Sequence, residues 1–160
     1  MSNNQYFTTE LKPTISFMSW FAIAPFIVCT VLTWFPILPL FGLDFDVLLI
    51  VRLYSAIIVS FVAGSVWSAA FLIQINNEKF DFNRKGLMFG AGLVSILSWL
   101  IIFIVPKAGV FISALLFLVL WQIELKTNLA KVYPEWFWTL RTKQTMIIAL
   151  SLMGIWLTLG

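Results

Sequence analysis

With 160 residues, 61% of them hydrophobic and 11% charged, the chain has too little polar surface for a water-soluble domain, where about a quarter of residues are charged. Its mean hydropathy of +0.99 agrees. The net charge of +3 would suit nucleic acid if the basic residues formed a patch, but they sit in short joints beside apolar runs, so membrane orientation explains them and no nucleic-acid partner is expected.

The first uncharged run, Pro13 to Leu43, predicts a span over about 15–40, since roughly 20 apolar residues cross a bilayer core. Lys12 ahead of it and the small-x-small pattern Ala22-Ile23-Ala24 resemble a signal peptide. The run continues well past that pattern, so the helix is read as uncleaved. Pro25 should kink it, and Pro36 and Pro39 should end it. Cys29 is the lone cysteine, has no partner for an intrachain disulfide and reads as a small hydrophobe. Trp20 and Trp34 bracket the span as interfacial anchors.

Asp44 or Asp46 should cap the second span, about 47–75. Arg52 is its deepest charge and is expected to snorkel outward or to pair with Asp46. Ala56, Ser60, Gly64 and Ser68 recur every fourth residue, a face expected to lie buried against another helix, with Gly86 and Gly90 of the third span as its partner. Trp67, further in, is expected to be buried away from water with its indole N–H on an acceptor; a hydrogen bond to a neighbour and a ligand pocket are the two readings.

The third and fourth spans fall at about 86–105 and 108–125. Lys107 between them can reach the headgroups, and Trp121 marks the other end. In the joint after Lys126, Leu129, Val132, Tyr133, Trp136, Phe137 and Leu140 form an apolar stripe at helical spacing. Pro134 fits a first helical turn, which predicts a break near Tyr133, a short interfacial helix over about 134–141 and a separate last span at about 142–159. Glu124 and Arg141 flank this joint and could pair at the interface.

These elements give an all-α class: a single polytopic membrane domain, a five-helix transmembrane bundle with an interfacial helix between helices 4 and 5. Taking the N-terminal tail and every second joint as one side, the basic residues divide eight to two. The N-terminus is therefore expected to be cytoplasmic and the C-terminus periplasmic in a bacterial inner membrane.

The chain has no histidine, which removes HExxH zinc sites, serine-histidine triads and bis-histidine haem ligation. No buried carboxylate pair and no phosphate-binding glycine loop is evident. No enzyme, metal or cofactor is expected. The leading expectation is a noncatalytic accessory or assembly subunit, with membrane lipids and other membrane proteins, or itself, as partners. The alternative is a small transporter or a lipid- or quinone-binding protein acting as a homo-oligomer, with Arg52 or Trp67 meeting the ligand.

The stretch Tyr54 to Trp67 resembles a signature of a bacterial inner-membrane family, domain of unknown function 3429, to which a mitochondrial transmembrane protein sixty-nine is related. Pro134-Glu135-Trp136-Phe137-Trp138-Thr139-Leu140-Arg141, with Thr145 following, is similar to its second signature. The resemblance implies an integral membrane protein without an assigned reaction and singles out Tyr54, Ser60, Gly64, Trp67, Trp136 and Arg141. Family members often carry a histidine or another polar residue where this chain has Val66.

Overall fold

The computed structural model describes residues 3–35, 45–75, 84–127, 129 and 133–159. Pro36, Pro39, Asp44, Lys79, Lys131, Val132 and Gly160 lie outside them, and so do the expectations that rest on them. Among the described residues six α-helices follow in order: α1 (Asn3–Phe21), α2 (Ala24–Trp34), α3 (Val47–Ile75), α4 (Arg84–Leu100), α5 (Pro106–Lys126) and α6 (Glu135–Thr158). A 3-10 turn at Ile101–Phe103 closes α4, and no strand occurs among these residues. Four of the described segments are long and apolar enough to cross a membrane, Glu10–Trp34, Val47–Phe71, Lys85–Phe103 and Pro106–Lys126. The chain is thus an all-helical, multi-pass membrane protein.

The break between α1 and α2 follows from Pro25, which has no N–H to continue the ladder and sits in the first turn of α2. Phe26 N–H donates to the Ile23 carbonyl at 2.9 Å, leaving the Ala22 carbonyl without its usual partner four residues on. The Tyr54 hydroxyl of α3 donates to that carbonyl at 2.9 Å. The helix ends at Trp34; Phe35, at φ −125° and ψ 87°, is extended as the residue before a proline tends to be.

Contacts between side chains give the helix directions. Ser95 donates to the Ser60 hydroxyl (3.1 Å) and Ser98 to the Ala56 carbonyl (3.4 Å), so α3 and α4 are antiparallel. Phe111 meets Trp156 and Trp121 meets Thr142, so α5 and α6 are also antiparallel. Thr30 donates to the Ser151 carbonyl and Trp34 to that of Gly154, both at 3.2 Å, so α2 runs parallel to α6. Lys12 of α1, Lys126 at the end of α5, and Arg141 and Lys143 near the start of α6 accordingly gather at one end, and Arg52 and Lys107 at the other.

The core lies where α2, α3, α5 and α6 meet. Phe26 is fully buried, edge-on to Phe117 at 5.8 Å and tilted against Tyr54 at 5.2 Å, with Val59, Leu120, Leu152 and Ile155 completing it. Large apolar side chains also cover the outside, among them Phe61, Phe89, Ile96 and Leu150. Water would penalise that surface, whereas lipid tails do not.

In two respects the architecture differs from expectation: the fifth expected span, about 142–159, is not among the membrane-capable segments, and the interfacial helix is not separate. Residues 134–141 do not form a separate interfacial helix: α6 runs unbroken for 24 residues from Glu135, with Pro134 just ahead of it. No proline or glycine interrupts it before Gly154, so nothing stops propagation past Arg141. Of the apolar stripe, Trp136, Phe137 and Leu140 lie in the first two turns of α6, while Leu129 and Tyr133 precede it.

Candidate functional site

The most strongly built polar centre joins α5 to α6 at the basic end. Glu124 is fully buried in the last turn of α5, where the helix dipole already places partial negative charge. Arg141 relieves it through two near-parallel bonds, Nε to Oε2 at 3.3 Å and Nη2 to Oε1 at 3.2 Å. With side-chain exposures of 1% and 14%, the pair is shielded from water, so the bidentate geometry holds the two helices in register. Trp121 donates to the Thr142 hydroxyl at 3.2 Å and stacks on Trp138, with ring centroids 6.4 Å apart and planes 4° from parallel. Fully buried Leu129 anchors the joint. Burial, and secondarily the Glu124 carboxylate, hold the Tyr133 phenol well above its usual range, opposed by the Arg141 guanidinium.

At the opposite end, Arg52 neither snorkels nor pairs with Asp46. It is 6% exposed and donates through Nη1 to the carbonyls of Ile102 (3.2 Å) and Ile104 (2.9 Å), and through Nε to that of Leu48 (3.2 Å). The guanidinium thereby satisfies carbonyls left over where α4 ends, and the dipole there favours a cation. Gly109 makes this possible, because a Cβ on it would lie 2.8 Å from Arg52 Cδ and 3.1 Å from the Ile101 carbonyl. Asp46 caps α3, accepting from Leu49 N–H at 2.9 Å.

The every-fourth-residue face of α3 is only half used. Ala56 is buried and Ser60 accepts from both Ser95 and the Trp99 indole (3.0 Å), whereas Gly64 and Ser68 are exposed. At about 100° per residue a spacing of four drifts about 40° per step, so the stripe winds off the interface. The residues of α3 that pack continuously are Ala56, Val59, Ala63, Val66 and Ala70. On α4 the buried positions include Leu87 and Ala91, one step round from the expected Gly86 and Gly90; a Cβ on Gly90 would instead lie 3.7 Å from Ile123 Cδ1 of α5.

Trp67 departs from the expected burial. It is 46% exposed, stacked on Phe71, and its indole makes no hydrogen bond among the described residues. Tyr54 borders an apolar cavity of about 660 Å³ between α2 and α3, lined also by Pro25, Cys29, Phe45 and Ile50. Its hydroxyl is already engaged by Ala22, so the cavity offers hydrocarbon contacts. Trp136 lines a second cleft of about 460 Å³ with Lys12, Ser16, Trp20, Thr139 and Lys143, the Lys12 ammonium 5.8 Å above its ring centroid.

The structure thus brings Glu124 and Arg141 together, seats Tyr54 and Arg52 on freed carbonyls, and turns Trp67, Gly64 and Ser68 outward. Sequence reasoning missed Gly109, Ser95 and Trp99. A glycine facing an intramembrane arginine was the available signal for Gly109; nothing in one sequence placed Ser95 and Trp99 opposite Ser60. Ser55 Oγ and Gln144 Nε2 are buried without a partner among the described residues. No curated protein and no solved structure matches the chain. One family model does, over residues 11–157, and by it the chain belongs to the protein of unknown function family DUF3429.

Proposed function

We propose that this is a noncatalytic accessory or assembly subunit of a bacterial inner membrane, crossing it five times with its N-terminus cytoplasmic and binding another membrane protein through α3. The carrying observation is the notch at Gly64 and Ser68. Nothing lies within 4 Å of where a Cβ of Gly64 would be, and Phe61, Trp67 and Phe71 stand exposed around it. A partner helix could approach the backbone closely there, the contact that drives association in lipid. The reading gains support from Glu124, Arg141 and Arg52, charges shielded from water that are spent on the fold itself.

A photo-crosslinker at Ser68 should capture one membrane protein of defined mass. Gly64→Leu should abolish its copurification in mild detergent without lowering the thermal midpoint of the isolated chain. A lone chain from both preparations would sink the proposal.

The second reading, a small transporter or lipid- or quinone-binding protein acting as a homo-oligomer, is favoured by the α2–α3 cavity. Its apolar walls suit an acyl or isoprenoid tail, and Arg52, held by backbone carbonyls, plays no part in it.

A further inference from the structure

The cleft between α1 and α6 has a composition that neither the fold nor the proposed partner surface explains. Lys12, Ser16 and Trp20 follow one another every fourth residue on α1. Glu135, Trp136, Thr139, Leu140 and Lys143 share one face of α6, and these residues together line the cleft. Lys12 and Lys143 are exposed, and neither is in an ion pair among the described residues, where the single pair is Glu124 with Arg141. Because α1 and α6 run the same way, the cleft descends along both helices from the basic end. Four residues in each step make the descent about 12 Å over eight residues, longer than the roughly 5–8 Å of one polar layer, so the cleft reaches from the headgroups to the edge of the hydrocarbon.

We propose that this cleft binds the phosphodiester headgroup of an anionic glycerophospholipid, and goes beyond the α3 partner surface in doing so. Lys12 and Lys143 supply the charge, and the Ser16 and Thr139 hydroxyls supply donors to the phosphate oxygens. Glu135 brings one negative charge against two positive ones, leaving a net +1 that matches a singly charged phosphodiester. Trp20 and Trp136 have the amphipathic rings that favour the interfacial layer. Exposed Phe17 and Phe21, which directly follow Ser16 and Trp20 on α1, offer an apolar surface for the acyl chains. A free inorganic phosphate would use the lysines but gain nothing from that surface, so the proposal commits to lipid.

The full-length protein, delipidated in mild detergent, is titrated with phosphatidylglycerol or with phosphatidylethanolamine, with bound lipid read by native mass spectrometry and by the shift in melting temperature. Phosphatidylglycerol should bind preferentially, and Lys12→Gln with Lys143→Gln should weaken it by about tenfold or more. Lys126→Gln, which removes an exposed charge at the same end but outside the cleft, should leave it unchanged. The melting shift of the unsubstituted protein decides the matter if the double variant fails to fold. Equal affinity for the two lipids, an equal loss in Lys126→Gln, or displacement by millimolar inorganic phosphate would each overturn the proposal.

Discussion

Gly109 and Gly64 occupy opposite environments, and the contrast is measurable. Gly109→Ala forces a methyl against the Arg52 stem and the Ile101 carbonyl, and should cost about 1–3 kcal/mol. Gly64→Ala meets nothing within 4 Å and should leave the melting midpoint in detergent unchanged or slightly raised. The Glu124–Arg141 pair calls for a double-mutant cycle. Arg141→Met strands a fully buried carboxylate and should cost about 3–5 kcal/mol, while adding Glu124→Leu should recover most of that loss. Strictly additive losses would mean that the two side chains act independently. Tyr133 adds a pH dependence whose sign is fixed by its raised phenol. The fold keeps it neutral, so its contribution is intact below the ordinary tyrosine value of about 10 and is lost as pH rises beyond that. The midpoint of the parent protein should therefore fall more steeply above about pH 10 than that of Tyr133→Phe.

Among the helices, what could be read from sequence was whatever a single chain segment decides. Apolar run length located the four membrane-capable segments, Pro25 located the α1–α2 break, and of the two candidate caps, Asp44 and Asp46, the second caps α3. Rotation about each helix axis could not be read, because it depends on which neighbour arrives. Spacing alone predicts a buried face for Gly64, Gly86 and Gly90, and depth in the span predicts burial for Trp67; a turn of about 100° per residue is enough to miss. The Glu124–Arg141 contact was legible as a candidate, yet its burial was not, since Leu129 and the Trp121–Trp138 stack close over that joint only in three dimensions. The last helix supplies a direct test. If residue 143 opened a separate span, proline there would be tolerated in a first turn. In the observed α6 it is the ninth residue of 24, so Lys143→Pro should cost about 3 kcal/mol or more relative to Lys143→Ala. Equal melting midpoints for the two variants would restore the interfacial helix.

At the scale of the whole molecule, the charged residues separate by end of the bundle. Helix directions bring Lys12, Lys126, Arg141 and Lys143 to one end although they are far apart in sequence. Arg52 and Lys107 lie at the other end, where Arg52 is withdrawn onto carbonyls and Lys107 stands 5.6 Å above the Trp156 ring centroid. Arg141 is neutralised by Glu124, so Lys12, Lys126 and Lys143 carry free positive charge at that end, which on the proposed orientation is cytoplasmic. In a Cys29→Ala background, Lys107→Cys should react with a membrane-impermeant maleimide in cells whose inner membrane is intact. Lys126→Cys, exposed at the end of α5, should react only after that membrane is opened. Labelling in the reverse order would place the basic end outside. Labelling of both in intact cells would mean mixed orientation, in which case the charge asymmetry does not set the topology.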